Sequence, residues 1–388
     1  MALKDDIDIL LGTAVRNGEV PGVIAGVTSR EGAVYEDGFG ERSIGGGVAM
    51  SPDTVVWIAS MTKAITATAA MQLVEKGKLK LDTPAGDVVP HLAEVEVLTG
   101  FDAEGKPQTR PPTRPVTLRH LLTHSAGFSY EIWNQNILRY LEVMDLPQVT
   151  SCQNAALLTP LTFDPGENWD YGISIDWAGK MVEAVSGRKL GDVMQEMVFE
   201  PLEMTSTAFK LTPDMEARRA SIHARLPDDS FADTGLVLEQ DPEFQMGGGG
   251  LYSTVGDYMK FIRLFMNQGS VNGRQLLKPE TVATMLVNQM GDNRVRPLKA
   301  VIADYSNDAE FFPGIEKSWG LSFMINEADA PTGRPAGSLG WAGLANSYFW
   351  FDLNNGIGGV YASQLIPFAD KKSLPLSLAF ETAVYRNL

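Results

Sequence analysis

Residues 55–76 read Val55-Val56-Trp57-Ile58-Ala59-Ser60-Met61-Thr62-Lys63-Ala64-Ile65-Thr66-Ala67-Thr68-Ala69-Ala70-Met71-Gln72-Leu73-Val74-Glu75-Lys76. An apolar run ends at Ser60. From there to Lys76 there is no Pro or Gly and much Ala, Met and Leu, so a strand-like entry leads into a helix that Ser60 opens. Residues three apart on a helix share a face, which lets Lys63 reach the Ser60 hydroxyl. The helix N-terminus favours a developing alkoxide and disfavours a charged Lys63, and burial lowers the Lys pKa further. A neutral or proton-sharing Lys can help activate Ser as a nucleophile, and the Ser60 N–H at the same helix start can act as an oxyanion donor. Read alone, Ser-x-x-Lys also describes a capping Ser before a solvent-facing Lys. A second copy, Ser186-Gly187-Arg188-Lys189, straddles a Gly that ends a helix, so its Ser and Lys need not face each other.

Working outward, Asp6–Arg16 has helical periodicity, and Val23–Thr28 with Val34–Gly40 reads as a hairpin. A short helix over 117–126 has Thr117 as its cap. Helices follow at Ile175–Ser186, Leu190–Phe199 and Val255–Asn267, the last just after Gly247-Gly248-Gly249-Gly250, which reads as a turn or a close backbone approach. Strand patterns return at Leu321–Asn326, Ser347–Asp352 and Gly358–Gln364, and Ser373–Asn387 closes the chain as a helix with Ser373 as a cap. Gly100–Pro115 holds six Pro and Gly residues and reads as a long surface loop that could overhang a cleft. The two strand-rich ends are expected to form one sheet. Residues 1–83 and 295–388 then make a discontinuous α/β sheet domain, and 84–294 a mainly helical domain. A cleft between lobes is a usual place for a small-molecule site.

Composition narrows the chemistry. The 388 residues carry 32 Lys+Arg and 48 Asp+Glu, a formal net charge of −16. That balance argues against nucleic acid as a partner. One Cys permits no internal disulfide and no Cys-based metal site. His120 and His124 are spaced as a two-His metal pair on a helix, but no Glu follows His120 and the simpler reading is structural, so no metal and no cofactor is expected. No run of about 18 apolar residues is present to span a membrane. The N-terminus lacks the basic segment and apolar run of a secretion signal, so the expected location is the cytoplasm and the expected partner a small-molecule ester.

Four segments together resemble the serine β-lactamase and penicillin-binding-protein superfamily, in its class C branch. Trp57-Ile58-Ala59-Ser60-Met61-Thr62-Lys63 is similar to the nucleophile motif. Thr117-Leu118-Arg119-His120-Leu121-Leu122-Thr123-His124-Ser125-Ala126-Gly127-Phe128 is similar to the family's helix between lobes. Pro165-Gly166-Glu167-Asn168-Trp169-Asp170-Tyr171-Gly172-Ile173-Ser174 resembles the segment with the catalytic Tyr, and Gly340-Trp341-Ala342-Gly343 stands where the family has Lys-Thr-Gly. Two departures point away from carboxylate-bearing lactams. Ile173 replaces the Asn of Tyr-x-Asn, and Trp341, neutral and flat, replaces the Lys that helps bind the lactam carboxylate. Tyr171-x-x-Ser174-x-Asp176 with Trp341-x-Gly343, and Gly247–Leu251 followed by Tyr252-Ser253-Thr254, resemble the family VIII bacterial carboxylesterases.

The resemblance implies a mixed α/β (α+β) fold of the β-lactamase/transpeptidase type: an antiparallel sheet flanked by helices, a mostly helical lobe, and the site in the cleft between them. It implies a serine carboxylesterase acting on neutral, short-chain acyl esters. Ser60 attacks the carbonyl, and Tyr171, as phenolate or sharing a proton with Lys63, takes the hydroxyl proton and later protonates the leaving alcohol. Lys63 lowers the Tyr171 pKa by proximity. The oxyanion sits between the Ser60 and Leu344 backbone N–H groups. Trp341, Ala342, Gly343, Ile173 and Tyr130 are the implied substrate-binding residues, with Trp341 as an acyl-pocket wall or an ordinary core Trp, Tyr130 presented to the site or packed as a loop aromatic, and Trp133 similarly placed. The alternatives are a β-lactamase or D,D-peptidase, an acyltransferase on the same acyl-enzyme, or a binding module without catalysis.

Overall fold

The computed structural model describes residues 3–388. Helix α1 (Leu3–Arg16) leads into the hairpin β1 (Gly22–Ser29) and β2 (Ala33–Gly40). After the Ser60 turn come α2 (Thr62–Glu75), α3 (Leu118–Leu122), α4 (Ser174–Ser186) and α5 (Val255–Met266). The chain then returns to strands: β3 (Lys317–Trp319), β4 (Met324–Asn326), β5 (Leu339–Gly343), β6 (Ser347–Asp352) and β7 (Ile357–Ala362), closed by α6 (Ser373–Arg386). The seven strands form one sheet in the order β3-β4-β5-β6-β7-β1-β2, every neighbouring pair antiparallel. The expected joining of the two chain ends is the β1–β7 pair, in which Gly26 faces Val360. The fold is the mixed α/β architecture expected, an antiparallel sheet flanked by helices.

Side chains alternate across a strand, so the sheet presents two faces. On one, Trp350 and Tyr361 pack against Phe380 of α6, which also lies against α1. The other carries Phe349 and, opposite it in register, Trp341. Here α5 packs, with Tyr258 and Phe349 ring centroids 5.0 Å apart. Glycines make that approach possible: a Cβ at Gly26 would lie 2.7 Å from Met259 Sδ and from Val255 Cγ1. So α5, which falls within 84–294, lies on the sheet, while α2, from the first 83 residues, packs against α4. Gly100–Pro115 is not a plain loop. Val97–Phe101 and Pro107–Arg110 pair as a hairpin whose turn is held by Asp102, which accepts from the Glu104 and Lys106 amides. Ser373 does not cap α6; Asp370 accepts its amide instead (2.8 Å). Among the described residues no helix is long and apolar enough to cross a membrane.

Candidate active site

Ser60 is delivered by a tightly held strand end. Trp57 N–H donates to Gln364 Oε1 (2.8 Å), Gln364 Nε2 donates to the Trp57 carbonyl (3.0 Å), and the Trp57 indole N–H reaches the Gly249 carbonyl (2.7 Å). Ile58 N–H is bound to the Leu251 carbonyl. Ala59 then takes φ 44°, a left-handed conformation that a side chain disfavours by roughly 1–3 kcal/mol. The surrounding bonds hold that kink, and it turns Ser60 into a single 3₁₀ turn, Ala59–Met61, that runs straight into α2.

One helical turn on, Lys63 is 1% exposed. Its Nζ is within hydrogen-bond distance of Ser60 Oγ (3.1 Å), Tyr130 Oη (3.0 Å) and the Gly248 carbonyl (2.6 Å). An ammonium donates to all three; a neutral amine donates two and can accept the third hydrogen, that of the Ser60 hydroxyl. Burial pushes the Lys63 pKa far below its ordinary value, with the charge of Asp176 partly opposing. The solvent-facing alternative for Lys63 is therefore excluded by its position.

Tyr171 is fully enclosed by rings, with His124 and Trp341 centroids 4.7 and 4.9 Å away. Its hydroxyl accepts from the Trp341 indole N–H (2.8 Å), and Tyr171 and Ser60 line the same hollow. Lys63 Nζ lies 4.6 Å from its ring centre. The expected lowering of the Tyr171 pKa by Lys63 is not found. Burial pushes it well up, and only the neighbouring Ser60 hydroxyl and Trp341 N–H pull it back. The cause is that Lys63 is itself driven towards neutrality, so it offers little charge to a phenolate. The helix expected over 117–126 ends at Leu122, so His124, with φ 56°, lies outside it and the two histidines do separate work. The amide of Thr117 donates to His120 Nδ1 (3.3 Å), while His124 is buried and neutral against Tyr171, Trp169 and Trp319.

The strand β5 passes directly beside the Ser60 turn. A Cβ at Gly343 would fall well inside 3.0 Å of the Ile58 carbonyl, so only glycine permits the approach. It brings Leu344 alongside Ser60, and the two residues line both of the hollows that flank the serine. Among the described residues neither the Ser60 nor the Leu344 amide donates a hydrogen bond within the protein. The first hollow, about 380 Å³, is walled by Trp57, Tyr130, Trp133, Val149 and Met246. The second, about 200 Å³, is walled by Tyr171, Trp341, Leu298 and Phe368. No charged side chain lines either.

Of the residues expected at the site, Ser60, Lys63, Tyr171, Tyr130, Trp341, Ala342, Gly343 and Leu344 converge. Trp133 lines both hollows, but Ile173 lines neither; it sits buried at the start of α4, where its carbonyl accepts the Asp176 amide. Sequence reasoning passed over Met246, Val149 and the Gln364 brace, which carry no local signal. The glycine run was legible as a close approach, and the structure supplies the partner: a Cβ at Gly248 would collide with the Asp176 carboxylate.

The Beta-lactamase family matches residues 7–378. The chain is 31% identical to lovastatin esterase of Penicillium rubens, covering 98% of each chain. It is also 31% identical to monacolin J acid methylbutanoyltransferase of Aspergillus terreus, over 96% of this chain and 93% of that one. A LovD6 mutant of simvastatin synthase (LovD) from Aspergillus terreus superposes with TM-score 0.85 at 29% identity, covering 98% of this chain and 96% of that one. EstCE1, described as a hydrolase with promiscuous acyltransferase activity, shares the fold (TM-score 0.78, 22% identity, 99% and 98% coverage).

Proposed function

The chain belongs to the Beta-lactamase family, and we propose that it is a serine acyl-transfer enzyme, moving short, neutral acyl groups from esters to an alcohol, with water as the competing acceptor. The observation that carries this reading is the convergence of Lys63, Ser60, Tyr171 and Trp341: Lys63 Nζ lies 3.1 Å from Ser60 Oγ, Trp341 donates to Tyr171, and Ser60, Tyr171 and Trp341 line one hollow. Relatives named for ester hydrolysis and for methylbutanoyl transfer support both outcomes of one acyl-enzyme. The Trp341-Ala342-Gly343 segment favours the family VIII esterase side of the family. The uncharged walls of both hollows would leave an anionic lactam carboxylate without a partner.

The steps follow from the geometry. Neutral Lys63 takes the Ser60 proton as Oγ attacks the acyl carbon. The oxyanion is met by the Ser60 and Leu344 amides. Tyr171 then protonates the leaving alkoxide, and the Trp341 N–H stabilises the phenolate that results; in deacylation the incoming water or alcohol gives its proton to that phenolate as it attacks the acyl carbon, and the departing Ser60 Oγ takes its proton back from the Lys63 ammonium. The leaving group must therefore lie against Tyr171, in the second hollow, and the acyl chain in the first, between Trp57, Tyr130 and Met246. An alcohol entering the second hollow reverses these steps. The apolar walls Leu298, Trp341 and Phe368 favour an alcohol with an apolar body over water.

The test is a panel of p-nitrophenyl esters from acetate upward, with and without an added apolar alcohol. Turnover is expected to peak at short chains and to divert from free acid to the new ester when alcohol is present. Ser60→Ala is expected to lose ~10³-fold or more in rate. Near-normal turnover by that variant would sink the assignment, and product that stays free acid at every alcohol concentration would leave hydrolysis alone.

A further inference from the structure

The chemistry above leaves one ionisable group beside Lys63 without a role. Asp176, in the first turn of α4, is 1% exposed. Its Oδ1 accepts the Gly248 amide (2.8 Å), and its Oδ2 has no hydrogen-bond partner among the described residues. The carbonyl of the same Gly248 accepts from Lys63 Nζ (2.6 Å). Among the described residues the hydrogen-bond partners of Lys63 Nζ are Ser60, Tyr130 and Gly248 and include no carboxylate, so Gly248 is the bridge: its N–H meets the carboxylate and its C=O meets the amine. The glycine is needed for this, since a Cβ there would overlap the Asp176 carboxylate.

A buried, half-satisfied carboxylate costs several kcal/mol unless a charge compensates it. The titratable groups facing the pair are Tyr130 and Tyr171 from the loops around them, His124 just beyond α3, and Cys152. Burial raises both tyrosines, raises Cys152 to about 11 and depresses His124, so all four are neutral near pH 7. Glu131, beyond Tyr130, is also buried and pushed up by burial. Burial also raises the Asp176 carboxyl, to about 6, and Lys63, once protonated, is the cation that compensates its charge.

We propose that Asp176 is a positioning residue: through the Gly248 peptide it holds Lys63 against Ser60, and its charge sets the pH at which Lys63 releases its proton. This rests on the serine acyl-transfer reading. When Ser60 Oγ gives its proton to Lys63 Nζ, the new ammonium forms within reach of the Asp176 field. No proton moves to Asp176 and no bond to it forms. Without the carboxylate the ammonium is less stable, Lys63 is a weaker base, and Ser60 is activated more slowly.

The experiment follows the rate at which diisopropyl fluorophosphate labels Ser60 across the acidic and neutral range, read by intact-protein mass spectrometry. It compares the full-length wild type with Asp176→Asn, which keeps an acceptor for the Gly248 amide and removes only the charge. The expected result is a labelling rate lower by ~10-fold or more on the plateau, and an acid limb moved to lower pH by ~1 unit or more. A role in folding alone would not move the limb. If Asp176→Asn does not fold, Asp176→Ser, smaller and open to a water, carries the same expectation. A folded variant whose limb and plateau match the wild type within about twofold overturns the proposal. A wild type that takes no label overturns instead the serine chemistry on which it rests.

Discussion

Gly343→Ala isolates the oxyanion geometry from every side-chain role. The added Cβ would lie more than half an ångström inside the 3.0 Å limit of real Cβ contacts at two places, the Ile58 carbonyl and Ser347 Oγ. The second clash is easily relieved, because Ser347 Oγ has no hydrogen-bond partner to hold its rotamer. The first is not: Ile58 is backbone, pinned by its own amide to Leu251. Reaching an ordinary contact of 3.4 Å therefore requires β5 to recede from the Ser60 turn by about an ångström, and Leu344 follows Gly343 outward. A donor displaced that far leaves hydrogen-bond range of the oxyanion, and the loss of one such donor costs ~10²–10³ in kcat, or ~2.7–4 kcal/mol. Ground-state binding in the two hollows changes little, so KM should stay within a few-fold. The assay is steady-state hydrolysis of p-nitrophenyl butyrate, with thermal unfolding as a control because overpacking costs ~1–3 kcal/mol of stability. Gly26→Ala is the matched control. It presses on Met259 and Val255, in register three strands away from Trp341, and should lower stability while leaving kcat in place. A Gly343→Ala enzyme with kcat within about threefold of wild type would refute the Leu344 assignment.

Two further outcomes are open to measurement. Trp341→Phe keeps the ring in the wall but deletes the N–H that donates to Tyr171 at 2.8 Å; hydrogen bonds to a charged group are worth ~1.5–3 kcal/mol, so kcat should fall by ~10–100-fold. Unchanged turnover would mean that Tyr171 carries no charge during the reaction. Away from the site, Arg225 holds Asp370 through Nε–Oδ2 and Nη2–Oδ1 contacts of 2.6 and 2.8 Å, both side chains buried. Arg225→Ala strands that carboxylate and should cost ~3–5 kcal/mol in urea unfolding, with kcat at low temperature preserved; a loss below about 1 kcal/mol would show the pair to be dispensable.

What could be read from the residues divides by range. The Ser60–Lys63 contact was legible because it is set by helix geometry within one turn. The sheet made from both chain ends was legible in outline because short β-branched runs flank a helix-rich middle. The hairpin at 97–110 was hidden by its own turn: Asp102, Gly105 and Pro107 give the segment a loop's composition, although its strands pair on either side. The seat of α5 on the sheet depends on which glycines face it, and Gly26 looks like any other glycine until its neighbour across the layer is known. Ile173 was expected at the substrate because of its place in a motif, yet its backbone starts a helix and its side chain is taken up by the core. The Tyr171 pKa went the other way from expectation for the same reason. Proximity to Lys63 can be inferred from motifs, but the burial that outweighs it is a property of the assembled core.

The exchange of Lys for Trp at 341 gains meaning from the hydrogen bond it makes. In the lactamase pattern the Lys at this place helps bind the carboxylate of the substrate. Here the side chain is turned to Tyr171, and its one donor serves a group of the protein's own. On the proposed mechanism the position thus passes from recognising a charge on the ligand to lowering the cost of a charge on the tyrosine. A cation at 341 would have done both, but it would also have repelled a protonated Lys63 across the same small space. With a neutral donor at 341, Lys63 is spared that repulsion. Both walls of the cleft stay uncharged in a chain of net charge −16. Selection by this site then falls to shape and apolar contact, which discriminate by only ~1–3 kcal/mol per methylene, so graded preferences along an ester series are the expected signature.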